Sequence, residues 1–126
     1  MRAFVASRVS GEDRVVLLDM LTRVQAALRD RGIEAYVSEL APKPEVHGDK
    51  LVAAFQHIDE SDALVVVYRP GPASEGMSAE IDYTYGKRPI WIFAEKGAES
   101  SLFALADRLV YWSSVDDLVS KIGEMK

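Results

Sequence analysis

Short apolar runs alternate along this chain with segments of helical periodicity. Residues 2–7 (RAFVAS) form the first β-type run, almost at the start. Leu17, Met20, Leu21, Val24, Ala27 and Leu28 then recur at the spacing of one helix face. Ser10 followed by Asp13 reads as an acidic variant of the capping box at the head of that helix. Gly32 ends it, after Arg29, Asp30 and Arg31. Residues 33–38 (IEAYVS) alternate as a second strand. Residues 39–48 contain Pro42 and Pro44 and read as a loop, long for an α/β connection, and loops of such length in compact domains often carry function. Residues 49–61 read as a helix with Leu51, Ala54, Phe55 and Ile58 inward and His57 on the polar side, solvated rather than catalytic.

Residues 63–68 (ALVVVY) are nearly continuously apolar, as a strand covered on both faces should be. Arg69-Pro70-Gly71-Pro72 breaks the run, because proline lacks an N–H and fixes φ. Ser74 or Ser78 is placed to cap a helix that runs through Tyr85 and stops at Gly86. Residues 89–93 give a fourth strand, 95–99 a charged turn, and 100–107 a short helix packed through Leu102, Phe103 and Leu105. Residues 109–112 make a last short strand, and Ser114 with Asp117 opens a final helix through Leu118, Val119 and Ile122.

Strict β-α alternation predicts a parallel sheet with helices on both faces. The expected architecture is a single α/β domain spanning residues 1–126, a flavodoxin-like doubly wound five-stranded parallel sheet of order 2-1-3-4-5. Its binding crevice lies beyond the carboxyl ends of the strands, where the order reverses. The first and third strands flank that point, so Ser7-Arg8 and residues 69–76 are sent to one crevice.

Composition narrows the chemistry. The chain has 126 residues, 48% hydrophobic and 28% charged, ordinary for one globular domain. Its net charge of -5 argues against binding a nucleic-acid polymer. It has no cysteine, hence no disulfide or thiolate chemistry, and only His47 and His57, so no metal site is expected. No secretory pattern or long apolar run is visible, so no membrane association and a cytoplasmic location are expected. There is no GxGxxG after the first strand and no Walker A motif. Asp59 and Asp62 fall before the third strand rather than at its carboxyl end, where a response-regulator-like acid pair would sit.

The chemistry that remains centres on the stretch from Ser74 to Glu80. Free N–H groups at a helix start, with serines and Gly76 beside them, suit an anion. Glu80 falls about one turn in, where the helix dipole is expected to keep it ionised as a nucleophile or charge stabiliser. The same residues also read as ordinary caps and a favourable early-turn acid. Glu12 and Asp13 read as helix-capping acids, Tyr68 as packing rather than a substrate clamp with Arg69, and Trp112 as structural. Tyr83, Tyr85 and Trp91 suit either packing or a dimer contact.

Ser74-x-Gly76-x-Ser78-x-Glu80-Ile81, followed by Gly86-Lys87-Arg88-Pro89-Ile90, resembles the central motif of the nucleoside 2-deoxyribosyltransferase superfamily. Within it the chain is most similar to the 2'-deoxynucleoside 5'-phosphate N-hydrolase branch, through Phe4-Val5-Ala6-Ser7-Arg8 and Ser10-Gly11-Glu12-Asp13-Arg14. The resemblance implies an N-glycosidase or transferase, acting on a (deoxy)nucleoside or nucleoside 5'-monophosphate, with Glu80 attacking the anomeric carbon. It implies substrate or phosphate contacts at Ser7, Arg8, Ser74, Gly76 and Ser78, with no cofactor. Ser100 or Ser101 matches a contribution from a neighbouring subunit, which implies a homodimer. The chain departs from the pattern where relatives carry an acid before the third strand: Ala53 or Ala54 stands there, with Asp49 and Asp59 nearest. Ser78 and Asp82 replace two usual glycines.

A second resemblance is to TIR domains, through the N-terminal strand, Gly32-Ile33-Glu34-Ala35-Tyr36, Gly48-Asp49, Glu60-Ser61-Asp62 and Ser74-Glu75-x3-Ala79-Glu80. It implies either NAD cleavage by the same glutamate or a non-enzymatic nucleotide-binding or signalling module. Gly76 stands where such a domain has tryptophan, which favours the nucleotide-hydrolase likeness.

Overall fold

The computed structural model describes residues 1–41, 50–72 and 74–125. Five parallel strands form one sheet in the order β2-β1-β3-β4-β5, the doubly wound arrangement expected from the alternation. The strands are β1 (Arg2–Ser7), β2 (Glu34–Val37), β3 (Ala63–Tyr68), β4 (Ile90–Glu95) and β5 (Arg108–Trp112). The helices are α1 (Arg14–Asp30), α2 (Lys50–Asp59), α3 (Glu75–Thr84) and α4 (Val115–Gly123). The long Pro42/Pro44 loop, with His47, Gly48 and Asp49, lies outside the described residues.

Side-chain alternation along each strand divides the core in two. Ala3, Val5, Val65, Val67, Phe93 and Trp112 face α1 and α4. Phe4, Ala6, Leu64, Val66, Ile90 and Ile92 face α2 and α3. All six residues of β3 are buried, which is why that strand reads as an unbroken apolar run. Trp112 is structural, as expected: it is 2% exposed, and its Nε1–H donates to the Phe93 carbonyl at 2.9 Å.

Several local expectations shift. Asp13, not Ser10, caps α1, accepting from the Val16 N–H at 3.1 Å. Gly11 turns the chain at φ +82° first, so the helix starts three residues later than a Ser10 cap would place it. Ser114 does cap α4, accepting from the Asp117 N–H at 3.1 Å. The helix expected over residues 100–107 is a 3₁₀ turn, Ser101–Leu105, capped by Ser100. Five residues with no room for a further turn before β5 close as 3₁₀ rather than α. Leu51 is 39% exposed rather than inward, because it sits at the open end of α2.

Two aspartates fix strand register. The Asp62 N–H donates to the Arg2 carbonyl, and the Arg2 N–H donates back to Asp62 Oδ2, both at 2.8 Å. Asp107 repeats the device on β4: its N–H donates to the Ile90 carbonyl and its Oδ2 accepts from the Ile90 N–H, again at 2.8 Å. Each carboxylate extends a backbone pair at a strand start and satisfies an N–H the ladder leaves over. Replacing Asp107 by alanine is expected to destabilise the fold by about 1–3 kcal/mol, since charged hydrogen bonds are the stronger kind. Asp107→Asn should recover part of that loss, and urea midpoints of the two variants check it.

Candidate active site

The turn after β3 is built around Arg8. Its Nη1 and Nη2 donate to the Pro72 and Pro70 carbonyls, both at 3.0 Å, and its guanidinium pairs with Glu12. Gly71 sits at φ +138°, and a Cβ there would collide with that guanidinium. Glu12 also accepts from Arg69 Nη1 at 2.8 Å, and Arg69 Nε reaches Glu95 Oε1 at 3.2 Å. Four alternating charges thus tie together the carboxyl ends of β1, β3 and β4. Glu12 was expected as a helix-capping acid. Its side chain is instead 7% exposed and wedged between two arginines. The sequence signal that goes with this is an acid four residues after Arg8, in a turn rather than a helix.

This clamp delivers the chain into α3. Ser74, in extended backbone, caps the helix by accepting from the Met77 N–H at 3.2 Å, while Ser78 lies within it. Met77, Ile81 and Thr84 form the buried stripe that seats α3 on the sheet. Glu80 precedes Ile81 and follows Met77 by three residues, so it flanks that stripe and turns into a cavity of about 450 Å³. That size suits a small organic ligand. Ser7, Val9 and Ser10 from the end of β1 line the same cavity, with Ser74 and Gly76. So do Tyr36 and Glu39 around β2 and Lys50, Ala53, Ala54 and His57 of α2.

Glu80 does not pair with the nearby cations. Arg88 caps the end of α2 through the Asp59 and Ser61 carbonyls, and Lys87 Nζ lies 3.7 Å from the centre of the Tyr83 ring. Tyr83 in turn stacks on Phe55 and donates to Asp59, a packing role, whereas Tyr85 is exposed. Tyr68 also packs, edge-on to Phe103. Among the described residues the Glu80 carboxyl has no hydrogen-bond partner.

Burial pushes this carboxyl up from its ordinary 4.5 to about 7. The expectation that the helix dipole keeps it ionised is therefore reversed. Glu80 is the sixth residue of α3, past the first turn where the dipole acts, and loss of water dominates.

Of the expected site residues, the fold brings Ser7, Ser74, Gly76 and Glu80 onto one cavity. Arg8 is turned to its own loop, and Ser78, Ser100 and Ser101 do not line the cavity. His57, expected on a solvated face, is instead a wall residue whose ring stacks on Tyr36 at 3.7 Å. No group of three or more metal-ligating side chains occurs among the described residues. No helix among them is long and apolar enough to cross a membrane.

No protein-family model matches the chain, and no curated protein matches it by sequence. Solved structures do match in fold. A 2-deoxyribosyltransferase from Bacillus psychrosaccharolyticus superposes with a TM-score of 0.70 at 18% identity, over 97% of this chain and 96% of its own. A CMP N-glycosidase from Clostridium botulinum gives 0.75 at 14% identity, over 99% and 100%. A conserved protein from Enterococcus faecalis gives 0.68 at 19% identity, over 98% and 97%. At such identities the likeness is one of fold, and the chain has the fold of nucleoside 2-deoxyribosyltransferase-like proteins.

Two stability measurements probe this description. Glu12→Gln leaves two arginines facing a neutral group, and a loss of about 3 kcal/mol is expected in urea unfolding, as for a broken buried ion pair. Glu80 acts through pH. The folded state keeps a proton that the unfolded chain releases above about 4.5. Its contribution is thus complete below 4.5 and lost as pH rises towards 7. Relative to wild type, Glu80→Gln should gain up to about 3 kcal/mol between pH 4.5 and pH 8, read from paired denaturation curves.

Proposed function

We propose that this protein cleaves the N-glycosidic bond of a nucleoside or nucleoside 5'-monophosphate, with Glu80 as the nucleophile. The observation that carries the reading is a half-buried carboxyl, unpartnered among the described residues, facing a ligand-sized cavity beside the capped start of α3. Two solved proteins of the same fold, a 2-deoxyribosyltransferase and a CMP N-glycosidase, lend the reading its substrate class.

In this scheme the ionised Glu80 attacks the anomeric carbon and the base departs. Water, or a second base in a transferase, then resolves the glycosyl ester. A carboxylate freed from water in an apolar setting is a stronger nucleophile than a solvated one, at the expense of being ionised less often. Ser74 and Gly76 stand at the start of α3, where N–H groups and the dipole favour a phosphate or a sugar hydroxyl. Ser7 closes the same side from β1. Arg8 acts here by setting the loop that presents Ser74, its guanidinium being held by Glu12 and two carbonyls. In a homodimer, Ser100, Ser101 and Ser78 would meet substrate only through another subunit's site or a shifted helix.

Base release from a panel of nucleoside 5'-monophosphates, nucleosides and NAD tests the reading. Wild type should turn over at least one, and Glu80→Ala should lower kcat at least about 1000-fold, as loss of a covalent nucleophile does. The ascending limb of the kcat profile should be the one set by Glu80, whose carboxyl is raised to about 7. Preference for NAD would favour the TIR-like alternative. A folded wild type that releases no base from any of them would leave the chain a binding module.

A further inference from the structure

Breaking a C1'–N bond drives its electron pair onto a ring nitrogen of the base. Such an anion leaves poorly unless a proton meets it, and a positioned acid supplies this at a gain of about 100–10,000-fold. The proposed nucleophile cannot serve both ends of the bond at once, so another wall residue is needed. Glu39 is turned to Arg14, its Oε2 3.3 Å from Nη1. Hydroxyl and ammonium groups hold their protons too tightly to match a task near neutral pH, whereas imidazole suits it.

Among the described residues His57 is the imidazole on that wall, and three observations bear on how it stands. Its ring lies on Tyr36 with centroids 3.7 Å apart and planes 17° apart. Tyr36 stacks in turn on Phe4, 5.8 Å away, and Phe4 is 1% exposed in the core. The column of rings therefore anchors the imidazole to the sheet. On its far side, Nδ1 lies 4.0 Å from Glu60 Oε1. Finally, His57 and Tyr36 line not only the main cavity but a second one of about 260 Å³, which Glu60 and Ser61 also line. The imidazole thus stands in the partition between the two spaces. With Nδ1 turned to Glu60, Nε2 is the nitrogen left for the main cavity.

We propose that His57 is the general acid that protonates the leaving base, oriented by Tyr36 and Glu60. The assignment rests on the N-glycosidase reading above. As Glu80 bonds to C1', the C1'–N bond breaks, its electron pair goes to the base nitrogen, and the Nε2 proton follows it. Neutral His57 then takes a proton from the water that attacks C1', and the ester bond pair returns to Glu80. The imidazolium is restored, and the sum is substrate plus water giving free sugar and protonated base. Glu60, with Oε1 4.0 Å from Nδ1, is placed to orient the ring, the part a third member plays in nucleophile–base arrangements.

Leaving-group dependence tests this. Wild type, His57→Gln and Glu60→Gln are compared on the best natural substrate and on analogues that leave without a proton, the 4-nitrophenyl glycoside and the 7-methylpurine nucleoside of the same sugar. His57→Gln should lose about 100-fold or more in kcat on the natural substrate and only a few-fold on the activated ones. Glu60→Gln, on a side chain 62% exposed and so safe for folding, should show the same split on a smaller scale. Equal losses on natural and activated substrates, or none on either, would overturn the assignment while leaving the Glu80 reading standing. A wild type inactive on every substrate would overturn both.

Discussion

β1 and β3 lie side by side in register from Ala3 on Ala63 to Ser7 on Val67, and the chain leaves them towards opposite faces. From β1 it crosses to α1 on one face of the sheet, and from β3 to α3 on the other. The backbones must part at the carboxyl ends, and no third strand can fill the gap they leave. The proposed nucleophile and the residues at the start of α3 gather at that gap, while His57 reaches the cavity from α2 beside β2. Ser7 arrives because β1 ends there, Ser74 and Gly76 because α3 begins there, and Glu80 because the apolar stripe of α3 rolls it inward.

Within the gap, electrostatics are set by where water is excluded rather than by formal charge. Four charged side chains at the strand ends neutralise one another and serve the backbone. Among the described residues the Glu80 carboxyl has no such company, and loss of hydration outweighs a helix dipole that has already faded by the sixth residue. The arrangement withholds full ionisation from this carboxyl, as catalytic carboxyls in other enzymes are tuned by their surroundings.

The fold was legible because the strands write their burial plainly. β3 is apolar at every position and α1 keeps one face apolar over 17 residues, so neither depends on distant context. The sheet order followed from alternation and strand count. The place of Glu80 on the cavity was legible too, since a capped helix after a Pro/Gly turn has a definite start. What escaped were relations across the sheet. Glu12 looks like a capping acid until Arg69, 57 residues away, comes beside it. His57 sits on a helix whose periodicity leaves it polar, and only the approach of Tyr36 from β2 makes it part of a wall. Local pattern also overstated the segment before β5, where a few apolar residues suggest a helix but the span permits a single tight turn.

Gly71 and Arg8 have a consequence for how this chain can diverge. The guanidinium fills the volume where a side chain at position 71 would stand, and Glu12 and Arg69 are arranged around that guanidinium in turn. A single exchange at any of these places leaves a clash, a void or an orphaned charge. Descendants of this sequence are therefore constrained to keep the set together or to replace it together. The loop that presents Ser74 is inherited as a unit.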